Sequence, residues 1–266
     1  MSRTEIIYGR HPVLAALRRP ESPLEEVIVA AGVGGPWLEE VRRLARAAGV
    51  RFRVQERAAL DRLCGVPHHQ GILARRGAYP YLSQDELLDR LQELPEPALL
   101  AAADSLTDPM NLGNLCRSAL AAGVHGLIIP KDRAAGLTPA VAKAAAGALE
   151  YLPVFRVTNL ADCLGRLKEA GLLIVGADAA APQSLYQADL TGPLALVIGG
   201  EEKGLRPRVR RQCDLVLAIP QAAPEIGSLN AATAGAVALF EVRRQRLIAA
   251  GGDQPAPFSK KGQPKP

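Results

Sequence analysis

The sequence predicts an α/β fold, a mostly parallel sheet covered by helices and preceded by a smaller N-terminal α/β domain. From residue 98 onward, five near-continuous apolar runs (99–103, 126–129, 172–175, 194–198 and 215–219) alternate with segments of crossover length. Strands buried on both faces have this pattern. Before residue 78 the strand-like pieces are shorter and less apolar. Between the two regions, residues 77–97 hold Pro80, Pro95 and Pro97 around one polar stretch, which marks a boundary.

In chain order, residues 5–8, 26–30, 51–54 and 71–74 read as strands of the first domain. A short helix is predicted over 11–17. An amphipathic helix opens at Pro36, with Leu38, Val41, Leu44 and Ala45 at helical spacing. Residues 84–93 predict a helix within the linker. Crossover helices are expected around 112–122, 138–149, 159–170 and 206–212, with a long closing helix over 228–249. The division is therefore 1–77, a linker 78–97, a larger domain 98–250, and a tail 251–266. That tail is rich in Pro, Gly, Lys and Gln and is expected to be disordered and basic.

Composition narrows the function class. With 266 residues and 48% hydrophobic content, the chain has enough apolar sequence for sizeable cores. No run of eighteen apolar residues is present, and the opening residues lack a secretory pattern, so a soluble cytoplasmic protein is expected. Cys64, Cys116, Cys163 and Cys213 are scattered, without a Cys-x-x-Cys pair, and read as reduced, mostly buried thiols. His11, His68 and His69 with Cys64 do not match zinc-ligand spacing, so no metal is expected. The net charge of +5 suits a nucleic-acid partner, but Lys260, Lys261 and Lys265 against Asp253 supply part of it. An RNA footprint would have to come from local clustering.

A sheet of this kind binds ligands at the carboxyl ends of its strands. The dinucleotide Gly-x-Gly-x-x-Gly, the Walker A loop and the Gly-x-Ser-x-Gly elbow are all missing from the sequence. Three other loops follow apolar strands. In the first, 104–117, Asn111 stands where a helix N-cap is expected and Arg117 follows within the same helix. A capped crossover helix with a solvated arginine fits the same residues. The second, 199–206, has three glycines, which let a backbone approach a ligand closely. Arg206, Arg208, Arg210 and Arg211 there form a basic cluster suited to phosphate. A tight turn before a solvated helical face fits equally well. In the third, 219–235, Ser228 can cap the final helix, whose small residues from Ala231 to Ala238 make one face smooth. Such a face suits close packing against the sheet or against a partner subunit.

Asn111-x-Gly113-x-x-x-Arg117, then Gly199-Gly200-Glu201 with Gly204, then Ser228-Leu229-Asn230, occur in order across the larger domain. Together they resemble the three signature motifs of the SpoU/TrmH branch of the SPOUT RNA methyltransferases. Residues 7–13 and 67–72 are similar to the two ends of the RNA substrate-binding domain attached to many of them, a domain like ribosomal protein L30e. With that domain included, the resemblance covers nearly the whole chain and is greatest to the enzymes acting on a guanosine of 23S rRNA.

The resemblance implies a SPOUT-type knotted sheet domain with an L30e-like companion, S-adenosyl-L-methionine as cofactor, and methylation of a ribose 2′-hydroxyl. It also implies a homodimer in which Arg117 of one subunit approaches the cofactor of the other. Asn111, Arg117, Glu201, Ser228 and Asn230 match the family's polar active-site positions, and Gly199, Ile219 and Leu229 match cofactor-binding ones. An RNA enzyme acting on tRNA and a non-catalytic RNA-binding protein of the same fold are the alternatives. The departures are Glu202 in place of a glycine, a 221–225 stretch one residue longer than usual, and Ala232 in place of a serine.

Overall fold

Two sheets organise the chain, which is described by a computed structural model over residues 4–251 with the exception of 202, 224 and 226. Glu202 and the predicted tail beyond Gly251 therefore lie outside the described residues. The first sheet contains β1 (Thr4–Tyr8), β2 (Leu24–Ala30), β3 (Arg51–Gln55) and β4 (Ile72–Gly77), in the order β1-β4-β2-β3. Strand β4 runs antiparallel to β1 and β2, whereas β2 and β3 are parallel. Helices α1 (Arg10–Leu17), α2 (Pro36–Ala47) and α3 (Arg57–Cys64) connect them. Helix α2 begins at the predicted Pro36 and buries Leu38, Val41 and Ala45. The sequence reading misses α3 because Leu60 is its only buried residue, too little to set a period. His69 is fully buried: Nδ1 accepts from Gly71 N (3.0 Å), which leaves Nε2 to donate to Asp61 (2.9 Å). The 67–71 stretch is thus held by its own contacts, with Gly71 at φ +77 turning into β4.

The second sheet is entirely parallel and runs β7-β6-β5-β10-β8-β11-β9. Its strands are β5 (Leu99–Asp104), β6 (Gly126–Pro130), β7 (Val154–Val157), β8 (Leu173–Ala177), β9 (Gln183–Ser184), β10 (Leu194–Gly199) and β11 (Leu215–Ala218). The five apolar runs form β5, β6, β8, β10 and β11. Along β5, Leu99, Ala101 and Ala103 join one core while Leu100 and Ala102 join another, the alternation that two covered faces require. Helices α5 (Pro109–Ala122), α6 (Pro139–Ala145) and α9 (Ala231–Ala249) cover the first face. Helices α4 (Gln84–Gln92), α7 (Leu160–Glu169) and α8 (Pro207–Arg210) lie on the second. The small residues of α9 serve this packing. A Cβ on Gly235 would lie 2.8 Å from Leu115 and 3.1 Å from Ile198. On α5, a Cβ on Gly113 would meet Ala144 of α6 at 2.4 Å.

The segment read as a linker is itself packed. Ser83 and Glu86 form a capping box on α4, and Leu87 is buried in the second-face core. Leu82 exchanges backbone hydrogen bonds with β7, from Leu82 N to Val154 O and from Arg156 N to Leu82 O, both 2.9 Å.

The two sheets meet through one continuous apolar core and one buried ion pair. After α6, a 3-10 turn (Ala148–Glu150) brings Gly147, at φ +97, so close to α1 that a Cβ there would sit 2.5 Å from that of Ala15. Glu150 pairs with Arg76, whose side chain is 2% exposed. The same carboxylate accepts from Tyr79 Oη (2.8 Å) and Ser22 Oγ (3.1 Å). Burial and the neighbouring Glu150 charge push the Tyr79 phenol well above its usual range, so it stays a donor. Glu150→Ala would strand Arg76 and is expected to cost about 3–5 kcal/mol. Urea unfolding should show this, with a smaller loss for Glu150→Gln.

Candidate functional site

The site is built where β8, β10 and β11 end. Strand β10 runs into Gly199-Gly200, and both glycines are required by close approach. A Cβ on Gly199 would lie 2.3 Å from the Gly204 carbonyl carbon, and one on Gly200 would lie 2.4 Å from Ser105 O. The loop doubles back on itself, with Gly204 N donating to Gly200 O at 3.0 Å. These glycines accommodate neighbouring protein backbone as well as leaving a wall free of side chains. The carboxylate of Asp104, fully buried at the end of β5, then accepts from Arg206 N (2.7 Å) and from Arg206 Nε, tying the second loop to the first.

Two sequence-predicted caps are corrected. Asp108, not Asn111, caps α5, accepting from Met110 N (3.0 Å) and Asn111 N (3.3 Å). Asn230, not Ser228, caps α9, its Oδ1 accepting from Ala232 N (3.0 Å) and Thr233 N (3.1 Å). The freed side chain of Asn111 joins the loops instead. Because Asn230 Oδ1 is committed to the helix N-terminus, its Nδ2 donates to Asn111 Oδ1 at 2.8 Å. Asn111 Nδ2 in turn donates to Glu201. One polarised chain therefore runs from the α9 N-terminus through Asn230 and Asn111 to the Glu201 carboxylate.

Beside it lies a cleft of about 310 Å³. Gly199, Glu201, Ile219, Ser228 and Leu229 line it, as do Asp178, Lys203 and Gln221, which the sequence alone does not single out. Asp178 follows β8 immediately, so the rule that leads to the other loops also points to it. It pairs with Arg210 and accepts from Ala180 N at 2.9 Å. Of the predicted arginine cluster, Arg206 and Arg210 are engaged within the protein, while Arg208 and Arg211 are exposed. No histidine lines the cleft among the described residues. Burial pushes the Cys116 and Cys163 thiols up to about 12, which removes them as nucleophiles.

Arg117 is not brought to this cleft. It is exposed, has no hydrogen-bond or ion-pair partner among the described residues, and lines a second cleft of about 520 Å³ beside α1. Asn230→Ala would uncap α9 and leave Asn111 Oδ1 without its donor. A loss of about 1–2 kcal/mol is expected from the cap alone, to be read as a lowered thermal midpoint.

Both the sequence and the fold are similar to those of known proteins. The model of the SpoU rRNA methylase family matches residues 98–240, and that of the RNA 2′-O ribose methyltransferase substrate binding domain matches 6–82. The 23S rRNA (guanosine-2′-O-)-methyltransferase RlmB of Ralstonia nicotianae is 40% identical, over 93% of this chain and 98% of the relative. RlmB of Escherichia coli K12 is 41% identical, over 91% and 99%. The crystal structure of the SpoU methyltransferase AviRb from Streptomyces viridochromogenes, in complex with the cofactor AdoMet, superposes with a TM-score of 0.76. Its identity is 27%, over 92% of this chain and 91% of that one. An AdoMet-bound rRNA methyltransferase from Sinorhizobium meliloti gives 0.73 at 25% identity, over 91% and 87%. With one family model on the sheet that carries the cleft, another on the sheet before it, and full-length relatives at this identity, the chain belongs to the SpoU rRNA methylase family.

Proposed function

We propose that this chain transfers the methyl group of S-adenosyl-L-methionine to the ribose 2′-hydroxyl of a guanosine in 23S rRNA, in the cytoplasm. The observation that carries the reading is the Glu201–Asn111–Asn230 chain beside a glycine-walled cleft at the strand ends. The names of the full-length relatives supply the substrate. Residues 1–77 act as the RNA substrate-binding domain and 98–250 as the methyltransferase domain, with 78–97 between them.

The cleft suits the cofactor. Gly199 and Gly200 leave one wall as bare backbone, Ile219 and Leu229 offer apolar surface, and Glu201 and Asp178 place carboxylates where a cation would sit. Gly199, Ile219 and Leu229 would hold it. When bound, it supplies an electrophilic methyl group on a sulfonium. The residues must then aim a weakly nucleophilic hydroxyl and favour loss of its proton. A guanidinium has five N–H donors and no acceptor, so Arg117 holds an RNA phosphate and stabilises charge developing on the 2′-oxygen. Glu201, fixed by Asn111, has a second carboxylate oxygen left to accept from the substrate, and Ser228 and Asn230 keep the third loop in register.

Arg117 and Glu201 line different clefts of one chain. A homodimer, with Arg117 reaching the partner's cofactor cleft, reconciles them, and a trefoil knot in the sheet domain belongs to the same reading. Purified chain with methyl-labelled cofactor and unmodified 23S rRNA should place label in alkali-resistant dinucleotides, and bulk tRNA in parallel should take none. Label in mononucleotides would refute ribose methylation. Arg117→Ala and Glu201→Ala are each expected to lower turnover at least a hundredfold, with cofactor affinity kept in the former. Mixing the two inactive variants should restore part of the activity, because one site of each mixed dimer is intact. No restoration would rule out the shared site.

A further inference from the structure

The cleft that holds Arg117 has a composition of its own. It runs between α1 and the turn that follows α6, and His11, Arg18, Arg117 and Tyr151 are among its lining residues. Tyr151 is 45% exposed although it lies between Glu150 and Leu152, both of which contribute to the packing. The Arg19 guanidinium sits 5.4 Å from its ring centroid. Glu150, the carboxylate adjacent in sequence, is turned inward and paired with Arg76. Arg18 and Arg19 are paired with the half-buried Glu40 at 2.7 Å and the exposed Glu21 at 3.5 Å. His11 has no side-chain partner among the described residues. An exposed aromatic ring with arginines and a histidine around it is the composition that takes up an unpaired nucleotide, the ring stacking a base and the cations holding phosphates.

Both walls are fixed in advance. Gly147 packs against the Ala15 side chain and lies 3.3 Å, by its would-be Cβ, from His11 O, leaving no room for the walls to close further. The Glu150 network ties the same turn to β4 and the segment after it. The groove therefore spans the two sheets and exists before any ligand arrives, which lowers the ordering cost of binding.

We infer that this groove is the seat of a single-stranded RNA segment, with Tyr151 stacking a base and Arg18 and His11 contacting the flanking phosphates. It rests on the RNA methyltransferase reading above and adds to it the place where the RNA is gripped. In the full chain, Tyr151→Ala should weaken binding of a short 2-aminopurine-labelled oligoribonucleotide roughly five- to hundredfold and abolish the quenching that stacking causes. Tyr151→Phe should retain both, because the ring and not the hydroxyl does the stacking. Arg18→Ala should reduce the salt slope of binding by about one, as loss of a phosphate contact does. Thermal midpoints close to wild type are expected, since Tyr151 and Arg18 are exposed. Quenching and affinity unchanged in Tyr151→Ala would overturn the inference. Wild-type chain that quenches the probe through Tyr151 yet labels no RNA would support the groove and overturn only the proposed activity.

Discussion

The carboxylate of Asp104 sits at the end of β5 with no access to water, and Arg206 reaches it through both its backbone N–H and its guanidinium. A buried charge left alone is far too costly to keep. The loop after β10 must therefore fold back over β5 until Arg206 arrives. That closure brings Gly199 and Gly200 against neighbouring backbone and sets Glu201 facing α5. Asn111 is then within reach of Glu201 on one side and Asn230 on the other, so three loops remote in sequence share one hydrogen-bonded line. The cleft owes its shape to this closure more than to any residue that lines it.

The same constraint joins the two sheets. Glu150 is the acceptor for Arg76, Tyr79 and Ser22, which come from β4, the segment after it and the turn before β2. Three donors on one carboxylate satisfy it without water, and the apolar core continues past them from Ile7 and Val13 to Leu112 and Val141. The stretch 78–97 is not a tether, since Leu82 and Leu87 fasten it to the second sheet.

The larger sheet is legible in the sequence wherever a strand is covered on both faces, because only a strand shielded from water on each side can stay apolar at every position. Strand β7 is not, because four residues, Val-Phe-Arg-Val with Arg156 exposed, resemble any short alternating stretch. Strand β9, with two residues, leaves no pattern. At the site, the loops are legible from their positions after strands, but the caps are not. Asp108 and Asn111, like Ser228 and Asn230, are all competent caps. Which one is used is decided by contacts some 90 to 119 residues away in sequence. The basic cluster is legible only in part for a similar reason, since Asp104, at the end of β5, and Asp178, just after β8, engage two of its arginines.

Asn111 and Arg117 stand six residues apart on α5, which is about 9 Å along the axis and about 120° around it. One rigid helix thus presents one side chain to the hydrogen-bonded line between Glu201 and Asn230 and another to the groove beside α1. Its footing is stiff, because Gly113 seats it directly on the backbone of α6. A displacement of this helix that favours a ligand in either cleft is registered in the other. Were occupancy of one cleft to displace it, the linkage would by thermodynamic necessity be mutual: whatever factor one occupant adds to the other's affinity, it receives in return.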